Sequence, residues 1–194
     1  VNPQYGNALW RNEEGLLTEN YGEARRINAG SPEPLWTGGF NTELSWRGIS
    51  LGIQLEARYG NKVLNQDRSL FEADGFYGDS NIWKGALNYW KKPGDTNVLP
   101  KPVYNNSSNS SAISTRYLED GSYLRIKDIT LAYSLPSKWT KKALMSGVRI
   151  YASALNLYTF HNMNYWDPEH GTSGATIISY PMTRSMIVGV DITF

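Results

Sequence analysis

The chain has 194 residues, no cysteine and a formal net charge of +1. Without cysteine there is no disulfide framework, thiolate metal site or cysteine nucleophile, and a near-neutral chain lacks the basic field that drives nucleic-acid binding. Aromatic residues are abundant, with 7 Trp, 13 Tyr and 5 Phe, yet no run of 18 or more apolar residues offers a transmembrane helix, which leaves spanning by strands open.

Residues 1–36 lack periodicity and include the turn-rich Gly30-Ser31-Pro32-Glu33-Pro34, so they read as loop. No charged-then-apolar leader opens the chain at Val1. The first regular pattern covers about 37–47. Phe40, Thr42, Leu44 and Trp46 share one face, and Asn41, Glu43, Ser45 and Arg47 the other. Strict alternation predicts a half-buried strand. It restarts over 49–60, with Ile49, Leu51, Ile53, Leu55, Ala57 and Tyr59 opposite Ser50, Gly52, Gln54, Glu56 and Arg58. Two such runs around Arg47-Gly48 predict a hairpin. Strands of this length, about 10 residues, cross a bilayer when tilted by about 45°.

Alternation is lost over 61–121, where Asn105 to Ser111 is purely Asn and Ser. A connection so long is functional or disordered, and a short helix is expected around Ser80 to Trp90. A third strand is predicted over 122–135. Leu124 and Ile126 begin on one face, but Ile129, Leu131, Tyr133 and Leu135 continue on the other. The one-residue slip near Lys127-Asp128 predicts a β-bulge. Pro136 stops the strand, and Thr140 to Met145 is expected to form one helical turn. Lys138, Lys141 and Lys142, the nearest thing to a basic run, read as a solvated turn. The fourth strand spans 147–158, a loop covers 159–183, and the last strand is 184–194, with Met186, Val188, Val190, Ile192 and Phe194 on one face.

Short turns at Arg47-Gly48 and after Pro136 alternate with long loops at 61–121 and 159–183. In an up-and-down order that puts short turns at one rim and long loops at the other, the pattern of outer-membrane barrels. Aromatics near the strand ends, Trp46, Tyr59, Tyr133 and Phe194, suit interfacial girdles. The alternative is a soluble sheet with an ordinary aromatic core, such as a secreted β-sandwich that binds carbohydrate. The two differ in what covers the apolar face: lipid in one, a second sheet in the other. About five strands cannot close a membrane barrel, whose smallest bacterial forms have about 8, so a barrel reading expects further strands from neighbouring sequence.

Several blocks carry a family resemblance. Gly30-Ser31-Pro32-Glu33-Pro34-Leu35-Trp36-Thr37-Gly38-Gly39-Phe40 and Tyr59-Gly60-Asn61-Lys62 flank the first hairpin. Asp120-Gly121-Ser122-Tyr123-Leu124-Arg125-Ile126-Lys127-Asp128-Ile129-Thr130-Leu131-Ala132-Tyr133-Ser134-Leu135-Pro136 spans the third strand. Arg149-Ile150-Tyr151-Ala152-Ser153-Ala154-Leu155-Asn156-Leu157, Tyr165-Trp166-Asp167-Pro168-Glu169 and Tyr180-Pro181-Met182-Thr183-Arg184 through Phe194 follow in order. Together they resemble the C-terminal part of the SusC/RagA family of TonB-dependent transporters, with Trp166 inserted before Asp167.

The resemblance implies an all-β fold: antiparallel up-and-down strands forming the last portion of a large transmembrane β-barrel of about 22 strands, with the plug domain absent from this stretch. It implies the outer membrane of a Gram-negative bacterium and import of a large nutrient, an oligosaccharide in the first instance. It also implies a SusD-like surface lipoprotein partner, a TonB complex acting through upstream sequence, the barrel-assembly machinery and outer-membrane lipid. A structural or adhesive envelope barrel without transport is a further alternative.

Val188, Val190, Ile192 and Phe194 are the expected barrel-assembly signal, an amphipathic strand ending in an aromatic that is recognised by edge pairing. Phe76, Tyr77, Trp83, Tyr89, Trp90 and Tyr104 in the long loop, with Tyr165 and Trp166 in the next, are candidate ligand or lid contacts, although such rings also pack loops against themselves. Asp167, Glu169, His161 and His170 lack a ligand spacing, so no metal is expected. Glu119 and Asp120 are neighbours that face opposite ways on an extended chain. No nucleophile–base constellation is present. The expectation is a non-enzyme without cofactors and without nucleic-acid binding.

Overall fold

In the computed structural model the described residues are 1–72, 74–75, 81–104, 109–169, 174–176, 178 and 180–194. Along the chain lie β1 (Trp10–Arg11), β2 (Leu17–Thr18), β3 (Trp36–Trp46), β4 (Ile49–Tyr59), β5 (Lys62–Leu64), α1 (Gln66–Phe71), β6 (Leu118–Asp120), β7 (Tyr123–Ser134), α2 (Ser137–Thr140), β8 (Gly147–His161) and β9 (Ser185–Thr193). Short 3-10 turns occupy Tyr21–Glu23, Lys84–Leu87, Thr115–Tyr117 and Lys141–Ala143. Two compact units are present. One comprises Val1–Gly30, Leu64–Leu118 and Ala175–Ser179, and the other Ser31–Val63, Glu119–Gly174 and Tyr180–Phe194.

The second unit is built on a five-stranded antiparallel sheet in the order β3-β4-β7-β8-β9. The register sorts side chains in rows. Trp46, Ile49, Tyr133, Ile150 and Val190 pair across all five strands. So do Leu44, Leu51, Leu131, Ala152 and Val188, and then Thr42, Ile53, Ile129, Ala154 and Met186. Rows on the other face are mainly polar, such as Glu43, Gly52, Thr130 and Ser153, with Ile187 of β9 the exception at the end of that row. The β3–β4 turn is made by Arg47 (φ 48) and Gly48 (φ 85), both left-handed as a tight hairpin of this twist requires. Gly189 lies opposite Tyr151, and a Cβ there would run into the Tyr151 ring.

The phase slip of β7 is a bulge at the expected place. Ile126 pairs with Tyr158 and Asp128 with Leu155, so Lys127 on one strand and Asn156 and Leu157 on the other drop out of the ladder. Asn156 takes φ 50, a conformation asparagine tolerates better than most residues. The strand therefore survives its irregular stretch and β8 runs to His161, beyond the expected end near residue 158.

The apolar face is uncovered. Leu131 is 52% exposed, Leu44 62%, and Met186 and Val188 80% each. Residues facing a partner sheet in a sandwich are buried, so the β-sandwich alternative fails on this point.

The first unit holds sequence expected to be loop. Its buried residues are largely polar: Asn65, Asp67, Glu72, Asp74, Ser110 and Thr176, beside Ala8, Ala86, Trp90 and Tyr117. Helix α1 is capped by Asn65, whose side chain accepts from the Arg68 N–H. Its cue, Asn two residues before an Asp in the first turn, is short enough to be missed. The helix expected around Ser80 to Trp90 is only the 3-10 turn at Lys84–Leu87. The helical turn expected over 140–145 begins earlier, as α2 and the 3-10 turn after it, and stops before Leu144, which is left-handed.

If the apolar face meets hydrocarbon, Leu131→Arg is expected to destabilise the full-length protein in liposomes by about 2–4 kcal/mol. Denaturant titration checks it. A change within about 0.5 kcal/mol, the usual size at a water-facing site, would count against lipid contact.

Candidate functional site

The polar face of the sheet carries the best-organised group of charges in the second unit. Arg125 and Lys127, two residues apart on β7, project to the same side as Glu56 on β4. The loop after β8 returns across this face. Arg125 is fully buried. Its guanidinium donates to Asp167 and to Glu169, each at 2.5 Å, and its Nε donates to the Thr159 hydroxyl at 2.9 Å. Lys127 pairs with Glu56 at 2.9 Å and with Glu169 at 3.1 Å. The Tyr123 hydroxyl donates to Glu56 at 2.7 Å, and both Arg58 and Arg125 lie over the Tyr123 ring, at 5.7 and 5.4 Å.

Two cations thus meet three carboxylates, Glu56, Asp167 and Glu169. A buried arginine forked between two carboxylates is among the strongest paired arrangements available, and its planar donor set fits it to the task better than lysine. The loop is fixed further by Glu119, which accepts from the Asn164 backbone N–H at 2.7 Å and from its side chain at 3.2 Å. Met163 and Pro168, within the loop, are buried. Farther down β7, Asp128 accepts from Thr130 at 2.8 Å and Ser153 at 2.9 Å.

The neighbouring carboxylates Glu119 and Asp120 have separate partners. Asp120 accepts from the hydroxyl and backbone N–H of Ser122. The Ser122 hydroxyl, chiefly, holds the Asp120 carboxyl below the usual range. In the first unit, burial pushes the Tyr117 phenol up to about 12. Among the described residues no group of His, Asp or Glu could hold a metal ion.

The expected site residues divide. Val188, Val190, Ile192 and Phe194 are 80, 54, 50 and 86% exposed, along one face of the edge strand β9 and just past it. Tyr104 and Tyr165 are exposed, the latter at φ 67. Tyr89 is half-buried beneath Lys91. Trp83 stacks on Phe71 with ring centroids 5.0 Å apart, and Trp166 is half-buried. Trp90 fills the inside of the first unit instead: it is 8% exposed, its indole donates to the Pro3 carbonyl at 3.1 Å, and its ring occupies the space that a side chain at Gly6 would need. That leaves it little surface for a ligand. Phe76, Tyr77 and His170 lie outside the described residues. The Arg125 cluster was not anticipated. Its sequence signal is the match between two spacings, Arg125-x-Lys127 on the polar face of β7 and Asp167-x-Glu169 in the loop.

No family model matches the chain. It is 29% identical over 182 residues to TonB-dependent receptor P3 of Formosa agariphila, a match covering 88% of this chain and 17% of that protein. It is 27% identical over 204 residues to TonB-dependent receptor P26 of the same organism, covering 97% and 20%. The chain thus spans about a fifth of the length of these relatives. Among solved structures, the RagAB peptide transporter superposes with TM-score 0.83 at 29% identity, covering 100% of this chain and 22% of that one. The RagAB peptide importer in its closed-closed state gives 0.84 at 28% and the same coverage. These are receptors and importers, not enzymes.

Arg125→Met leaves Asp167 and Glu169 without their cation. Breaking a buried pair from one side is expected to cost about 3–5 kcal/mol, seen as faster hydrogen exchange over residues 162–169. Adding Asp167→Asn and Glu169→Gln should recover part of the loss. Unchanged exchange in the single variant would show that the cluster does not hold the loop.

Proposed function

We infer that this segment of a SusC/RagA-type TonB-dependent receptor forms the C-terminal wall of a transmembrane barrel in the outer membrane of a Gram-negative bacterium. The apolar face of the sheet turns to hydrocarbon and the Arg125 face to the lumen. Backbone groups on the free edges of β3 and β9 cannot stay unmet in lipid, so further strands pair with both, and the plug lies upstream. The single observation that carries this reading is the pairing of a bare apolar face with a charge-compensated polar face on one continuous sheet. A soluble sheet has no use for the first, and a lipid-facing wall requires the second to point away.

The whole receptor imports a large polar nutrient, with energy delivered by TonB through the plug. Oligosaccharide is the first cargo class, and peptide the second, supported by the similarity to the RagAB peptide transporter and importer. A SusD-like lipoprotein docks on the long-loop side, and Tyr104 and Tyr165, exposed in their respective units, are candidate contacts for partner or cargo. At the end of the chain, Val188, Val190, Ile192 and Phe194 present the assembly signal.

The test is uptake by cells carrying or lacking the full-length gene, supplied with labelled oligosaccharides or peptides, with and without TonB. Loss of uptake of one class on deleting either gene is expected, and TonB-independent uptake would refute the transporter reading. Separately, Phe194→Asp is expected to lower the heat-modifiable, folded fraction of the receptor in outer membranes several-fold. An unchanged folded fraction would remove the assembly role from this residue.

A further inference from the structure

The rim of short turns holds a group of residues that barrel closure does not explain. Pro136 ends β7, and the chain folds through α2 and a 3-10 turn before β8. This turn is well fastened. Trp139 and Thr140 donate their N–H groups to the Pro136 carbonyl, Met145 donates to Thr140, and Ser146 donates to Thr193 at 2.7 Å. Thr140 is buried at its centre. From this fixed base, Lys138, Lys141 and Lys142 are all exposed. No Asp or Glu occurs from Leu135 to Arg149. Arg47 adds a fourth exposed cation on the neighbouring turn, where the Ser134 N–H donates to the Gly48 carbonyl at 2.8 Å. Asp191, at the end of β9, is already paired with Arg149 at 3.1 Å.

The apolar members of the rim are as exposed as its charges. Trp46 is 67% exposed, Trp139 58% and Leu144 89%. Leu144 also sits at φ 57, a left-handed conformation unfavourable for a bulky side chain. A strained leucine held almost wholly in water is doubly unfavourable unless it lies in an apolar phase. Cations beside exposed Trp and Leu on a rigid turn are the arrangement of an interfacial anchor, with apolar groups below the headgroups and ammonium groups among their phosphates.

We propose that the turn from Pro136 to Ser146, with Trp46 and Arg47, is a docking surface for anionic phospholipid of the periplasmic leaflet, with Lys138, Lys141 and Lys142 pairing with headgroup phosphates and Trp139 and Leu144 set among acyl chains. This rests on the barrel reading above, which places the short turns at the periplasmic side. Charge complementarity fixes the occupant: a basic turn whose lysines have no ion pair among the described residues, set at a lipid boundary, selects phosphatidylglycerol over a zwitterionic lipid.

The test uses the full-length receptor in mild detergent, equilibrated with equal amounts of phosphatidylglycerol and phosphatidylcholine and weighed by native mass spectrometry. Wild type should retain phosphatidylglycerol several-fold over phosphatidylcholine, and K138Q/K141Q/K142Q should bring the ratio near one. Leu144→Gly, which suits the left-handed backbone, should keep the fold and reduce retention of both lipids. An unchanged ratio in the lysine variant overturns the proposal, as does unchanged retention in Leu144→Gly. A heat-shift gel on the same samples reports separately on the barrel itself: a receptor that shifts but shows no lipid preference defeats only this proposal.

Discussion

A sheet can give one face to hydrocarbon only if its charged side chains all leave that face and then find partners on the other. This constraint organises the second unit. The strict rows of Leu44, Leu51, Leu131 and Val188 satisfy the first half. Arg125, held between Asp167 and Glu169, satisfies the second. The two halves are linked through the backbone, since the bulge that drops Lys127 from the ladder lets Ile126 and Ile129 share a face while it keeps Asp128 on the polar side with Arg125 and Lys127. A regular strand would have sent either the isoleucines or the charges to the wrong side.

Burial of Arg125 is costly in itself, because a cation removed from water must be repaid by close, well-aligned anions. Carboxylates on adjacent strands could have done this. Here two of the three come from one loop, so the charge balance of the wall depends on where that loop lies. The Glu119–Asn164 bonds then fix the loop at a second point. The cluster couples the position of that loop to the charge balance of the sheet's polar face.

The period-two segments were legible in the sequence because a strand facing two different media must alternate. Even the bulge could be read, since a one-residue slip in an otherwise strict pattern has few other causes. The blocks resembling the SusC/RagA family led to the same architecture. The pairing of Arg125 with Asp167 and Glu169 could not be read, because those partners lie more than forty residues away and no local rule links them. Nor could the burial of Trp90, whose place depends on Gly6 and Pro3 at the far end of the chain. The sequence that lacked alternation, 1–30 and 64–118, was the hardest to read because its order does not come from an apolar stripe.

That unit shows a different solution to compactness. Its interior contains Asn65, Asp67, Asp74 and Ser110, each of which must find directional partners in place of water. Ser110 donates to Asp74, Thr176 donates to Asn65, and the Ile178 N–H donates to Asp67. Residues separated by as many as 111 positions are joined by single hydrogen bonds. Bonds of this kind specify geometry more sharply than they stabilise it, because each yields only about 0.5–1.5 kcal/mol net, whereas an orphaned buried partner costs about 1–3 kcal/mol. A segment held this way tolerates change on its exposed side chains, such as Tyr104, and little change at its polar interior. The strand segments follow the opposite rule: on their apolar face many greasy side chains serve equally well, and the demanding positions are the few charges behind them.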